Sequence, residues 1–93
     1  MSNLALSLSN NARAFLDDLQ PKQFKQVTSR IFALQRDPYP ADYKHLKNHP
    51  GVYRIDQGEF RICYQVNSTL VQIVVAGPRN DDAVYRQLDR VMG

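Results

Sequence analysis

The sequence predicts an α+β domain: an N-terminal strand and a two-helix hairpin packed on a small, mainly antiparallel sheet, followed by a C-terminal helix. Apolar residues first recur at helical spacing, then alternate with a period of two through three segments, and return to helical spacing near the end. The 93 residues, 43% hydrophobic and 23% charged, have the length and composition of one globular domain spanning residues 1–93.

The N-terminal part of the chain carries the signals of one strand and two helices. Residues 4–8 alternate leucine with small residues, which indicates a short strand at one edge of the sheet. Ser9 or Asn10 can cap the first helix. Pro21 fits the first turn of a second helix, which an Asp-Pro pair at 37–38 ends. The apolar stripe predicted for the second helix consists of Phe24, Val27, Ile31 and Leu34.

The first predicted hairpin contains an arrangement of charges that suggests a site. Arg54 and Asp56 alternate with apolar residues, so one strand face is polar and the other is apolar. A two-residue turn at 57–58 would place Arg54 opposite Arg61, and like charges that face each other across a sheet are unfavourable. A bound anion would turn this pair into a binding site. Alternatively, Asp56 and Glu59 would neutralise the arginines in a balanced surface cluster.

A second hairpin and a closing helix complete the predicted fold. With Ser68 and Thr69 in the turn, every residue of the inward row is large and apolar, which supports this register. Asn80 or Asp81 is predicted to cap the closing helix. The inward row pairs Ile62 with Val75, Tyr64 with Ile73 and Val66 with Val71, and the buried edge of the helix consists of Val84, Leu88 and Val91.

Composition and charge narrow the class of function. The net charge of +3 and the pI of about 9.2 permit a nucleic-acid partner. No apolar run approaches the roughly 20 residues that span a bilayer, and the N-terminus lacks the basic start of a secretory signal, so we expect a cytoplasmic protein. Cys63 is the only cysteine, and His45 and His49 do not form a zinc motif, so neither a metal nor a cofactor is expected.

An ordered set of short motifs resembles a known family. After the two predicted helices come LK, five further residues and YRI, then FRI-x-YQV, a strand ending in G-x-R, and a closing helix with VY. From about Asn10 to Arg90 this set resembles the RelE side of the RelE/ParE toxin superfamily. The resemblance implies a small toxin that enters the ribosomal A site and cleaves mRNA there, and that a cognate RelB-like antitoxin holds inactive.

The resemblance also implies a metal-independent reaction and the residues that carry it. The ribose 2′-OH attacks the adjacent phosphate and yields a 2′,3′-cyclic phosphate and a 5′-OH. By position, Arg54 and Arg61 match basic residues that bind and stabilise the phosphate, a role that suits the permanent planar cation of arginine. Arg79 matches the arginine after the last strand and is a candidate proton donor or leaving-group stabiliser. Tyr85 matches a tyrosine that acts as general base, for which an ordinary phenol needs cations beside it.

One position departs from the family pattern. Ribonucleases of this family tend to have a lysine two positions after the residue that matches Arg54, and this chain has Asp56 there. Either Lys44 or Lys47 supplies the missing RNA-binding charge, or cleavage is weak, or the target is different. A gyrase poison of the ParE type and a non-catalytic antitoxin-binding relative are alternatives, because related scaffolds host different functions. Phe32, which lies off the apolar stripe, is a candidate contact for the antitoxin.

Overall fold

The computed structural model describes residues 3–80 and 82–92, which form five strands and three helices. The predicted fold class is confirmed: a strand and two helices precede the rest of the sheet, and one helix follows it. In chain order the elements are β1 (Ala5–Leu8), α1 (Asn10–Asp17), α2 (Pro21–Ala33), β2 (Lys44–His45), β3 (Tyr53–Gln57), β4 (Phe60–Val66), β5 (Leu70–Pro78) and α3 (Ala83–Met92).

The strands form one sheet in the order β1-β5-β4-β3-β2. β1 runs parallel to β5, and every other neighbouring pair is antiparallel. β1 therefore lies at one edge, as its sequence predicts, and the two-residue β2 forms the other edge. Since β5, the last strand, pairs with β1, the first, the sheet brings together strands from the two ends of the chain.

Local sequence signals set the starts of the first two helices. The Ser9 hydroxyl accepts a hydrogen bond from the Ala12 N–H at 3.1 Å and thereby caps α1. Pro21 occupies the first turn of α2, as predicted. α2 ends at Ala33, earlier than the predicted stop at 37–38, and turns continue the chain. No helix within residues 3–80 and 82–92 has the length and apolarity needed to cross a membrane.

The third helix lies close against β5. A Cβ atom at Gly77 would meet Val84 Cγ2 at 3.3 Å, so the absence of a side chain there permits the close approach. α3 begins at Ala83, which places Asn80 too early in the chain to cap it. The alternative predicted cap, Asp81, lies outside the described residues.

The sheet separates two apolar clusters of different size. α1 and α2 cover the face that we call the hairpin face, and α3 covers part of the opposite face, which we call the α3 face. The larger cluster, on the hairpin face, comprises Ala12, Leu16, Val27, Ile31, Leu34, Ile55, Ile62, Tyr64, Val71, Ile73 and Ala76. The smaller cluster, on the α3 face, comprises Val52, Cys63, Val74, Val75, Val84 and Leu88.

The turn of the first hairpin lies one residue later than predicted. Gln57 pairs with Phe60, so the two turn residues are Gly58 and Glu59. Gly58 has a φ of +60°, in the left-handed region that glycine adopts readily. Glycine at the first of two central positions is typical of a type II′ turn, whose twist matches that of the flanking strands.

The later turn changes the charge pairing across the hairpin. Arg54 pairs with Cys63, and Asp56 pairs with Arg61. The predicted opposition of Arg54 and Arg61 is therefore wrong. The shift from 61 to 63 is even, so each side chain stays on the face that was predicted for it. The strand pair thus places a carboxylate, not a second cation, opposite Arg61.

The second hairpin follows the predicted register only near its turn, with Tyr64 opposite Ile73 and Val66 opposite Val71. An irregularity next to Cys63 shifts the pairing further along. Ile62 therefore faces Ala76, and Val75 moves to the α3 face. A bulge adds one residue to one strand and so reverses the faces beyond it, which simple alternation does not predict.

Side-chain exposure confirms some predictions and corrects others. Tyr64 is fully buried, and its hydroxyl donates to the Pro38 carbonyl at 2.6 Å. Phe32 lies exposed, off the stripe, as predicted. Phe24 and Val91 were predicted to be buried but are 44% and 48% exposed. Both lie within about one turn of a helix end, where periodicity gives the direction of a side chain but not the extent of the surface opposite.

Candidate functional site

Charged side chains gather on the α3 face, where β3, β4 and the end of β5 meet. Arg54 and Asp56 alternate with core residues on β3, and Arg61 stands opposite Asp56 on β4. Arg79 directly follows β5. Its backbone N–H donates to the Glu59 carbonyl at 2.9 Å, which holds Arg79 beside the turn of the first hairpin.

The Asp56 carboxylate is the centre of this cluster. Its Oδ1 accepts from Arg61 Nε at 2.9 Å, and its Oδ2 accepts from Arg61 Nη2 at 3.3 Å, so the pair is bidentate. Oδ2 also lies 3.6 Å from Arg54 Nη1 and 3.8 Å from Arg79 Nη1. Three positive groups converge on one negative group, which leaves the cluster with two excess positive charges.

Arg61 also joins the cluster to α3. Its Nη1 donates to the Tyr85 hydroxyl oxygen at 2.8 Å, and its Cζ lies 5.4 Å from the centre of the Tyr85 ring. Since the hydroxyl oxygen accepts from Arg61, the proton of the phenol is left for another acceptor. The Arg61 side chain is only 15% exposed, and both edges of its guanidinium are held.

The charges in the cluster alter each other's titration. The hydrogen bond from Arg61 is the main reason that the pKa of Asp56 lies below its ordinary value, and the positive charges of Arg61, Arg54 and Arg79 add to this effect against the opposing effect of burial. The same hydrogen bond raises the pKa of Arg61. Burial raises the pKa of the neighbouring Cys63 thiol to about 12, so the thiol is not a nucleophile at neutral pH.

An open groove of about 280 Å³ lies beside the cluster, between the segment that precedes β3 and the exposed side of α3. Arg54 and Tyr85 line the groove near the cluster, and Lys47 lines it on the side of the preceding segment. Lys44 is exposed and pairs with Arg54 across β2 and β3. Both lysines predicted to bind RNA thus lie near Arg54.

The arrangement has the chemistry of an oxyanion site. Arginines bind phosphate oxygens through fixed planar donors, and the Tyr85 hydroxyl adds a group that can exchange a proton. Within residues 3–80 and 82–92, no group of three or more His, Cys, Asp or Glu side chains has the arrangement of a metal site.

The fold is shared with solved structures of RelE toxins. The chain matches the RelBE2 toxin-antitoxin complex of Mycobacterium tuberculosis with a TM-score of 0.72 and 26% identity, over 87% of this chain and 97% of that one. For the archaeal RelE-RelB complex of Pyrococcus horikoshii the TM-score is 0.74 and the identity 20%, over 85% and 98%. For a double arginine-to-alanine mutant of E. coli RelE in the free state they are 0.76 and 21%, over 98% and 99%. No protein-family model and no curated protein matches the chain. The chain has the RelE-like fold of the RelE/ParE toxin superfamily.

In this RelE-like chain the four residues predicted to be catalytic lie close together. Arg54, Arg61 and Arg79 all approach Asp56, and Tyr85 contacts Arg61. The sequence prediction placed them on three neighbouring strands and the closing helix, and the sheet order explains why they meet. Their chemical roles remain predictions.

Two features of the RelE-like site were missed by sequence reasoning. Asp56 was expected as a diagonal neighbour that could neutralise the arginines or as a departure from the family pattern, yet it lies directly opposite Arg61 and is the acceptor that holds it. A type II′ turn at Gly58 would have revealed this pairing. The second feature joins His49 to Asp89 on α3, with Nε2 2.7 Å from Oδ1, and the separation of 40 residues hides it from any local pattern.

Proposed function

We propose that the chain is the toxin of a type II toxin-antitoxin system and an endoribonuclease that cleaves mRNA in the ribosomal A site. The proposal is carried by the convergence of Arg54, Arg61 and Arg79 on one carboxylate beside the Tyr85 hydroxyl. A cluster with surplus positive charge and a proton-transfer group suits a phosphodiester, which gains negative charge as it is cleaved. The fold supports the class, because the matched structures are of RelE toxins.

The proposed reaction is a transesterification in the cytoplasm, where ribosomes translate. The 2′-oxygen forms a bond to the adjacent phosphorus, the bond from phosphorus to O5′ breaks, and one proton moves from the 2′-OH while another reaches O5′. The products are a 2′,3′-cyclic phosphate and a 5′-OH, and the balance requires no metal, oxidant or other cofactor. Arg54 and Arg61 stabilise the phosphate, Arg79 stabilises the leaving oxygen, and Tyr85 is the proton-transfer residue.

Asp56 has a positive role in this proposal. Its bidentate bond orients Arg61, whose other edge reaches Tyr85. The contacts from Asp56 to Arg54 and Arg79 are longer, at 3.6 and 3.8 Å, so these two arginines can turn to a phosphate while Arg61 keeps its partner. Lys44 and Lys47 add charge for the RNA strand on either side of the cleaved bond.

The proposed partner is a RelB-like antitoxin that covers the exposed aromatic surface of α2. Phe24 and Phe32 on this helix are 44% and 55% exposed. The matched structures from M. tuberculosis and P. horikoshii are complexes of a toxin with its antitoxin. An amphipathic helix that packs its apolar side against both rings would remove them from water. Phe32→Glu is expected to prevent neutralisation by the protein encoded beside the toxin without reducing toxicity.

Cleavage on the ribosome is the direct test. The purified chain is added to ribosomes stalled on a defined mRNA, and the mRNA ends are mapped by primer extension. The matched controls are the same mRNA without ribosomes and the chain with Arg61→Ala. We expect new 5′ ends within the A-site codon only when ribosomes and the unchanged arginine are both present.

Intact mRNA under all conditions would overturn the ribonuclease proposal. The gyrase alternative predicts instead that the chain inhibits DNA supercoiling by purified gyrase. A chain that does neither but binds an antitoxin fits the third alternative, a non-catalytic relative.

A further inference from the structure

A histidine and a carboxylate in the groove contact each other. His49 lies in the segment before β3, and its Nε2 is 2.7 Å from Oδ1 of Asp89. Asp89 follows Tyr85 by one helical turn on α3, so the two side chains project to the same side. The His49 side chain is 16% exposed, while Asp89 is 70% exposed. Both residues line the groove together with Arg54 and Tyr85.

We propose that His49 is a catalytic residue, the general base that removes the proton from the 2′-OH, and that Asp89 positions it. This inference rests on the proposed ribonuclease function and deepens it. When the Asp89 carboxylate accepts the Nε2 proton, the imidazole is fixed as the tautomer with a free lone pair on Nδ1. A base held by a carboxylate on one nitrogen and open on the other is the arrangement that nucleophile activation requires.

The assignment divides the two proton transfers between two residues. The 2′-OH proton passes to His49 Nδ1 as the 2′-oxygen forms its bond to phosphorus. The Tyr85 hydroxyl, whose oxygen accepts from Arg61, gives its proton to O5′ as the bond from phosphorus to O5′ breaks. Solvent then returns a proton to Tyr85 and removes one from His49. No atom or charge is left unaccounted for, and a single phenol no longer has to act as both base and acid.

His49 and Tyr85 reach the groove from two different segments, the loop before β3 and α3. Arg54 lines the groove and also approaches Asp56, so the groove adjoins the arginine cluster. Attacking and leaving oxygens stand on opposite sides of phosphorus in an in-line displacement. His49 approaches from the preceding segment and Tyr85 from α3, which gives each oxygen its own partner.

The test compares His49→Gln with Asp89→Asn, and Asp17→Asn is the matched control. Glutamine keeps an N–H for Asp89 but cannot take up a proton. Asp17 is an exposed carboxylate at the end of α1, the helix that packs on the hairpin face, so it has no part in the proposed chemistry. Single-turnover cleavage of ribosome-bound mRNA is measured, with circular dichroism to verify that each variant is folded.

We expect His49→Gln to slow cleavage by about 100-fold or more, the usual loss for a general base, with unchanged binding to the ribosome. Asp89→Asn should give a smaller loss, and Asp17→Asn should cleave like the wild type. The wild type and His49→Gln should differ in how the cleavage rate depends on pH between 6 and 8. The titratable and charged groups that line the groove with His49 are Arg54, Lys47, His45, Tyr85 and Asp89.

The cleavage rate of the wild type distinguishes failure of the proposed function from failure of the His49 assignment. If the wild type does not cleave, the proposed function itself fails. If the wild type cleaves and folded His49→Gln cleaves equally fast with the same pH profile, the ion pair with Asp89 only ties the loop to α3 and the inference is overturned. A loss in His49→Gln that appears only as weaker ribosome binding would also overturn the assignment as a base.

Discussion

The two faces of the sheet use the same strands for different purposes. On the hairpin face, two helices bury a continuous layer of large side chains that includes Ile62 and Tyr64. On the α3 face, one helix covers only a small apolar cluster, and β3 and β4 carry Arg54, Asp56 and Arg61 beside it. Ile62 and Arg61 are neighbours in sequence but lie on opposite faces, so one strand contributes to stability on one side and to the site on the other.

The two faces differ in how much unfavourable interaction they tolerate. Grouped arginines repel each other, and the strain is offset by one carboxylate and by the exposure of the cluster to water. The hairpin face has no such tolerance, because a cavity there is not filled by solvent. Substitutions on the α3 face should therefore affect activity, and those on the hairpin face should affect stability.

Arg61→Ala is expected to have the largest effect on activity. Arg61 contacts both Asp56 and Tyr85, and loss of a preorganised charged donor typically slows a reaction by about 10²- to 10³-fold. The measurement is single-turnover cleavage on ribosomes, with Arg13→Ala, an exposed arginine on α1, as the control. Equal cleavage by a folded Arg61→Ala variant would remove the arginine cluster from the proposed site.

Ile62→Ala tests the other side of the same strand. Ile62 is fully buried, and truncating such a residue lowers the free energy of unfolding by about 2–4 kcal/mol. Urea unfolding measures the change, and half-exposed Val91→Ala serves as a control that should cost far less. If the folded fraction of Ile62→Ala also cleaves slowly per molecule, the two faces are not independent.

Tyr85→Phe should slow cleavage by about 100-fold, because it removes the proton-transfer hydroxyl and the acceptor for Arg61. The aromatic ring stays, so the contact with the Arg61 guanidinium and the packing of α3 are kept. Thermal unfolding should therefore be nearly unchanged. An unaltered cleavage rate would exclude the hydroxyl from the chemistry.

Asp56→Asn tests how much the ion pairs of Asp56 stabilise the fold, because their contribution to the free energy of unfolding depends on pH. The pKa of Asp56 is lower in the folded chain than in the unfolded chain, so its ion pairs stabilise the fold fully above about pH 4 and are lost as the pH falls through the folded-state pKa. At neutral pH the variant should be less stable than the wild type by about 1 kcal/mol. Urea unfolding at pH 7 and pH 3 should show this gap narrowing in acid, and a constant gap would contradict the assignment.

Sequence periodicity predicted the fold class and most elements, because buried side chains recur every two residues in a strand and about every 3.6 residues in a helix. The Arg54, Arg61, Arg79 and Tyr85 set could be named because the ordered motifs around these residues resemble the RelE family, to whose positions each residue was matched. The position of Asp56 depended on which two residues form a turn, and a single-residue error there changed every cross-strand partner. The pairing of His49 with Asp89 depends on how α3 crosses the sheet, and nothing local in either segment encodes that crossing.

Arg79→Ala is expected to have the smallest effect among the arginines. Arg79 is 56% exposed and lies 3.8 Å from Asp56, so water weakens its interaction with a bound phosphate. We expect cleavage to slow by about tenfold or less, with little change in stability. The loss should shrink further at high salt, because an exposed charge is screened while the partly buried Arg61 is not. A salt-independent loss as large as that of Arg61→Ala would show that Arg79 moves into contact with the reacting phosphate. The three arginines would then contribute equally to phosphate binding.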